Sequence, residues 1–288
     1  MVRAGVLILR AMTPRTIERT VRGMKTSDGA GVKLTRLVGT PVLRLVDPFL
    51  MLDDFGSDEP DDYVAGFPEH PHRGFETITY MIQGRFRHRD NKGNEVVSDS
   101  GSAQWMTAGR GIVHAETPEQ REGAIRGFQL WLNLPSTEKM REPEYRAFER
   151  DRIPVATLGK GVDARVLAGR IGDVIGPIAG RTTEPVYVDV TLGAGTAGEI
   201  PIPRGHQGFV YAFDGGAIVA GGKELARGEL GVLTDGDSIR LEANREDARV
   251  LVVAGRPIGE TIAQYGPFVM NTPEELERAI ADFQSGHF

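Results

Sequence analysis

Thirty-seven glycines are scattered along the 288 residues, and they cut the chain into runs too short for long helices. The runs between them are rich in Val, Ile, Thr, Tyr and Phe, residues that suit a pleated surface. Phe75–Ile82, Phe128–Leu134, Val186–Leu192, Gly208–Phe213 and Arg249–Ala254 are examples. Short strands with regular turn signals predict an all-β protein built as sandwiches or barrels. One helix is expected, at the C-terminus. Thr272 is its N-cap, Pro273 its first residue, Glu275 closes a capping box, and Leu276, Ala279, Ile280 and Phe283 share one face. Thr137–Arg146 holds helix formers but is interrupted by Pro143, and reads as a loop with a turn or two of helix.

An internal repeat organises the strands. Phe75–Gly84 followed by Gly101–Gly109 has the same strand–turn–strand rhythm as Gly208–Gly215 followed by Gly228–Gly236. Two domains on one plan follow, residues 1–150 and 151–288. The polar segment Pro135–Pro154, with its three prolines, is the expected crossover.

Composition removes several classes of function. There is no cysteine, which excludes disulfides, thiolate catalysis, iron–sulfur clusters and Cys-ligated zinc. A net charge of −6 argues against a nucleic-acid-binding surface. No apolar run reaches the length of a membrane span, and Val6–Leu9 is too short for a signal sequence. Met12 is an alternative start. A soluble, cytoplasmic protein is expected.

The chemistry concentrates in two clusters. In Glu69-His70-Pro71-His72, side chains two apart on a strand project to one side, so His70 and His72 converge. Pro71 keeps the segment extended and places it at an edge or an irregular strand entry. In Gly109–Glu116 the same spacing aligns His114 and Glu116. A turn at Gly84, a turn at Asp90–Gly93 and a strand around Trp105 leave enough chain to fold one cluster onto the other. Three imidazoles and one carboxylate suit Fe, Mn, Ni or Cu, and less specifically Zn. Four protein ligands leave open positions on an octahedral ion, as catalysis requires.

These stretches, His70–Tyr80, Gln104–Glu116 and Gln129–Asn133, closely resemble the pirin family of the cupin superfamily. Asp47–Leu50 and Gly266–Thr272 extend the resemblance, which runs from about Arg19 to Phe288. It implies a bicupin, two face-to-face antiparallel jelly-roll β-barrels, with one divalent metal in the N-terminal barrel. The implied ligands are His70, His72, His114 and Glu116. The implied ion is Fe(II), with Zn, Mn, Ni or Cu as alternatives. The implied activity is quercetin 2,3-dioxygenase, with a small aromatic substrate and O2. Glu116 is the expected catalytic proton acceptor once its bond to the metal loosens. Family members are also associated with transcription-factor co-regulation, so the alternative is a non-enzymatic, redox-sensing iron protein with a protein partner. A monomer is expected because the bicupin already pairs its barrels. Thr107 stands where the general cupin pattern has Pro, and Glu76 stands where cupins often place a ligand; both departures are pirin-like. Apart from the terminal His287, the C-terminal half has only His206, after Pro203-Arg-Gly, and reads as a barrel that has lost its metal.

The remaining candidates have plainer readings. Glu76 is read as a partner that orients an imidazole, or as the salt-bridge partner of Arg73. His88 is read as structural or as a residue behind the ligands, His206 as a barrel residue, and His287 as inert. Trp105, Trp131 and Phe128 line an aromatic pocket or belong to the core. Gln129 is a candidate pocket residue. Gly109-Arg-Gly111 lacks the lysine and helix of a phosphate loop and reads as the turn before His114.

Overall fold

A computed structural model of the chain describes residues 13–216 and 218–288. Val6–Leu9 and Met12 as an alternative start lie outside them. The glycine-punctuated runs are strands, and the repeat becomes a repeated topology. In the first half a seven-stranded sheet runs, in spatial order, Glu144–Phe148, Ala103–Thr107, Phe75–Gln83, Ile125–Asn133, Phe49–Ser57, Val32–Val38, Met24–Asp28. A four-stranded sheet runs Phe67–His72, Ile112–Pro118, Phe86–Asp90, Glu95–Ser98. The second half has a seven-stranded sheet, Ile17–Arg22, Glu229–Leu233, Gln207–Gly215, Ala248–Gly255, Val186–Leu192, Val162–Ala168, Val155–Gly159. Its four-stranded sheet is Ala197–Pro201, Ser238–Ala243, Ile218–Ala220, Lys223–Leu225. Each half is therefore an open two-sheet jelly roll, and its hydrogen-bond ladders do not close it into a full barrel.

The edges of the large sheets are filled by exchange. Ile17–Arg22, from the start of the chain, pairs with Glu229–Leu233 of the second half. The expected loop Thr137–Arg146 is only partly a loop. A turn at Pro135–Arg141 gives way after Pro143 to the strand Glu144–Phe148, which pairs with Ala103–Thr107. Pro143 stops the turn from growing into a helix, and the Tyr145 and Phe148 side chains suit a strand.

Period-two alternation divides each central strand between two cores. On Phe75–Gln83, Ile78 and Tyr80 turn toward the other half. They join Phe128, Leu130, Tyr187, Phe209, Tyr211 and Leu251 in one cluster shared by both large sheets. This apolar face is what makes the arrangement face to face. Polar ties cross it: Tyr80 Oη donates to Asp189 Oδ2 at 2.7 Å, and Asp189 is paired with Arg249. The opposite faces differ between halves. The interior of the second half is aliphatic, with Val188, Val190, Val210, Ala212, Val250 and Val252. The corresponding interior of the first half carries Thr77, Thr79, Gln129 and Trp131, beside the histidines.

The last segment returns to the first half. Residues Ala263–Tyr265 and Phe268–Met270 form a hairpin, and Phe268 bridges to Arg73. The buried Lys139 Nζ donates to Gly74 O, Asn133 Oδ1 and Val269 O at 2.7–3.0 Å. Burial lowers its pKa to about 8. The helix Pro273–Gln284 has the expected capping box. Its Ala279 is buried against Phe268 and Met270, with Leu276 and Ile280 packed alongside, while Phe283, 38% exposed, touches the Phe268 and Phe288 rings. No helix among the described residues is long and apolar enough to cross a membrane.

The Tyr80–Asp189 tie is testable. Tyr80→Phe leaves a buried carboxylate oxygen without one donor and should lower stability by about 1–3 kcal/mol. The check is the midpoint of chemical unfolding; an unchanged midpoint would show that this bond does not hold the halves together.

Candidate metal centre

The ladder between Phe67–His72 and Ile112–Pro118 places His70 opposite His114. Register then shifts, so that Glu116 is opposite Phe67. The extra residue lies in the Pro68–Glu69 stretch, and a proline is tolerated at such a bulge because it needs no ladder donor. On its other side the Ile112–Pro118 strand places Glu116 opposite His88 and His114 opposite Asp90.

Three imidazoles meet as the spacing predicts. Ring centroids are 4.6 Å apart for His70–His72, 4.3 Å for His70–His114 and 4.9 Å for His72–His114. Ligating atoms of these three lie within 4.8 Å of one another. Glu116 falls in an adjoining cluster with His114 and His88, also within 4.8 Å, so His114 belongs to both groups. Regular alternation along Ile112–Pro118 keeps Glu116 on the same side as His114. Thr79 Oγ1 donates to its Oε1 at 3.2 Å and Gln129 Nε2 to its Oε2 at 3.3 Å.

The arrangement fits a divalent transition ion. His72 Nδ1 and His114 Nε2 are buried and have no hydrogen-bond partner among the described residues. Orphaned buried nitrogens are costly unless something fills the position. His70 Nδ1 lies 2.8 Å from the Pro68 carbonyl and donates to it, which frees Nε2 as a lone pair. Burial, then the nearby rings, push His72 and His114 well below the usual histidine value, so both are neutral donors at pH 7. Burial raises Glu116, partly offset by His88, His70 and Thr79.

A cleft of about 1180 Å³ opens over these groups, lined by His70, His72, Glu116, Gln129 and Trp131. Trp131 packs edge-on to His72 at 5.1 Å and against Phe75 at 4.3 Å. Gln264, Gly266 and Pro267 of the C-terminal hairpin form part of the same wall. Sequence reasoning left this contribution of the second half unread, because nothing local to Gly266-Pro267 signals what it faces.

Other candidates fall elsewhere. Trp105 and Phe128 belong to the core between the halves, on the face opposite Trp131 and Gln129. Glu76 neither orients an imidazole nor pairs with Arg73. Alternation turns it away from Thr77 and Thr79, where it pairs with Arg181 at 3.0 Å and accepts from Thr107 Oγ1 at 2.7 Å. Arg73 instead binds Asp282 of the C-terminal helix at 2.7 Å and lies 4.4 Å over the Phe288 ring. Gly109 and Gly111, at φ +52° and +147°, make the turn before His114, and a side chain at Gly111 would meet Phe288. His206 is buried, with Nε2 3.1 Å from Glu184 O. His287 is exposed near Ser285.

The second half shows what the site looks like without its chemistry. Its small-sheet ladder pairs Ile200 with Ile239 and Gly198 with Leu241. Leu241 also pairs with Ala220, and Ala243 with Ile218. By topology Gly198 and Ile200 stand where His70 and His72 stand, and Leu241 and Ala243 where His114 and Glu116 stand. Ile200, Leu241, Ala243, Ala220 and Ile218 are all buried.

The depressed histidines make the metal-free fold acid-sensitive. Below about pH 6.5 unfolded histidines take up protons that His72 and His114 refuse in the fold, so stability falls as pH drops. Glu116, raised, acts with the opposite sign but is one group against two. Metal-free protein should therefore melt lower at pH 5.5 than at pH 7, and His72→Phe should flatten the dependence. A flat profile in the wild type would contradict the burial of these two rings.

Comparison with known proteins identifies the family. The family model described as Pirin matches residues 31–132, and the one described as Pirin C-terminal cupin domain matches residues 187–288. A pirin-like protein of Caulobacter vibrioides is 50% identical, covering 96% of this chain and all of its own. Human pirin is 38% identical over 94% of this chain and 93% of its own. The crystal structure of a quercetin 2,3-dioxygenase from Acinetobacter baumannii superposes with a TM-score of 0.88 at 33% identity, covering 96% of this chain and 99% of that one. With matching models across both halves and relatives along nearly its whole length, the chain belongs to the pirin family of two-domain cupins.

Proposed function

We propose that the chain is a metal-dependent dioxygenase that opens the ring of a flavonol such as quercetin with O2, using one Fe(II) ion held by His70, His72, His114 and Glu116. The observation that carries this reading is the set of neutral imidazoles with orphaned nitrogens beside a buried carboxylate, at the base of a cleft large enough for an aromatic substrate. The similarity to a quercetin 2,3-dioxygenase supports the substrate class. The ion would supply Lewis acidity toward an enolic hydroxyl and open positions for small ligands.

The protein's own part is positioning and proton handling. Trp131 offers a flat apolar wall next to His72, and Pro267 lines the same cleft. Gln129 and Thr79 fix the Glu116 carboxylate in place. Once its bond to the ion loosens, one oxygen of Glu116 would accept the proton that a flavonol hydroxyl releases. Among the described residues the aliphatic second half holds no comparable set of groups, which supports placing the reaction in the first half.

The test is metal analysis of protein purified without a histidine tag, then anaerobic Fe(II) reconstitution and an assay of quercetin loss with carbon monoxide release. About one ion per chain with turnover is expected. His114→Ala should lose both, and a His114→Ala protein that binds metal and oxidises quercetin at the wild-type rate would overturn the reading. Trp131→Ala should raise KM roughly tenfold with a smaller change in kcat, since it removes binding shared by ground and transition states. One iron per chain without turnover would remove support for quercetin and move the assignment to another substrate or to a metal-containing regulator.

A further inference from the structure

We propose that Asp90 and His88 form a hydrogen-bond relay that fixes the tautomer of His114, so that His114 presents its Nε2 lone pair to the metal position. This inference rests on reading His114 as a ligand. It assigns His88 and Asp90 as positioning residues, outside the ligand set.

The relay begins at a carboxylate with little freedom. Asp90 Oδ1 accepts from the backbone amides of Lys92 and Asn94 at 2.9 and 3.1 Å, and Oδ2 accepts from Asn94 Nδ2 at 2.9 Å. Against burial, a hydrogen bond from His88 and then these bonds hold the Asp90 carboxyl below its usual range. Oδ2 also lies 2.9 Å from His88 Nε2, so that nitrogen carries the proton. His88 Nδ1 is then an acceptor. Across from it, at 3.4 Å, is His114 Nδ1, which must therefore donate. One proton remains for the neutral His114 ring and it is on Nδ1. Nε2 is left as a lone pair, and it is the buried nitrogen without a partner.

The surroundings keep the relay in register. Tyr145 stacks on the His88 ring at 4.0 Å and 12°, from the strand that completes the large sheet. Asn91, within the turn that Asp90 closes, donates from its backbone to Val113 O at 2.9 Å and accepts from Val113 N at 3.2 Å. The turn that anchors the carboxylate is thus clamped beside His114 itself. A buried imidazole whose two nitrogens both have assigned roles between a carboxylate and a ligand is what orients first ligands in metal sites.

Asp90→Asn tests the direction of the relay. An amide nitrogen in the Oδ2 position donates to His88 Nε2 and drives the His88 proton to Nδ1, where it opposes the His114 Nδ1 proton. His114 can then relieve the clash only by moving its proton to Nε2, the atom needed for the metal. His88→Phe keeps the stack on Tyr145 and removes both nitrogens.

The measurement is competition of Zn(II) between the protein and a chromophoric chelator, for wild type, Asp90→Asn, His88→Phe and His114→Ala. Affinity should fall about 10- to 100-fold in the first two variants and be lost in the third. Melting of the metal-free proteins should remain close to wild type for Asp90→Asn. Unchanged affinity in both relay variants overturns the proposal. A loss in His88→Phe as complete as in His114→Ala also overturns it, by making His88 a ligand. Long-range 15N–1H correlation of the histidine rings in metal-free wild type gives an answer that needs no variant. The expected tautomers are Nδ1–H at His114 and Nε2–H at His88, and Nε2–H at His114 would refute the relay. A wild type that binds no ion fails the metal reading separately, and the tautomers then decide the relay alone.

Discussion

The short ladder that sets His70 opposite His114 is the constraint on which the site depends. A side-chain period of two sends His72 and His114 to the same interior as His70, and a slip of one residue would turn them out of it. The ladder is held from several sides. Arg73, immediately after it, is bound by its backbone to Pro267 and Val269, and its guanidinium reaches Asp282 and the Phe288 ring. On the far edge the Phe86–Asp90 strand pairs with Ile112–Pro118 and brings His88 behind His114. Much of the C-terminal segment therefore serves the N-terminal site, by locking two strands in one register.

The halves divide the work that a single jelly roll would have to combine. A carboxylate and several imidazoles in one interior remove apolar contacts that the fold needs. The second half has that interior filled with Val, Ile, Leu and Ala, and the cluster between the large sheets adds Tyr80, Phe128, Phe209 and Tyr211. Each buried Val, Ile, Leu or Phe among them contributes about 1.5–3 kcal/mol. The polar interior of the first half is thus carried by a scaffold that is apolar on its other face and in its twin.

Much of this was legible in the sequence because it rests on local periodicity. The strand at Phe75–Gln83, the capped helix after Thr272, and the convergence of His70, His72 and His114 all follow from spacing and turn residues. The aliphatic second interior was foreshadowed by the scarcity of histidine in that half, where only His206 precedes the terminal His287. What was not legible depends on which face of a strand a residue takes. Glu76 is one residue from Thr77, yet it serves the contact with Arg181 across the halves. Trp105 and Trp131 carry the same side chain and sit on opposite faces of one sheet. The strand at Glu144–Phe148 followed a proline and looked like linker, because its partner, Ala103–Thr107, lies about forty residues back. The exchange of Ile17–Arg22 into the second half has no local signal at all. In Phe86-Arg-His-Arg-Asp90 the alternation that buries Phe86, His88 and Asp90 together was present, and reading it as a strand would have placed His88 beside Asp90.

X-ray absorption at the iron edge of anaerobically reconstituted protein tests the central claim most directly, because it reports the atoms that surround the ion. Three imidazole rings with additional oxygen neighbours, falling to two rings in His70→Ala, is the result this register predicts. An iron environment with fewer than three imidazoles, or one that His70→Ala leaves unchanged, would contradict it.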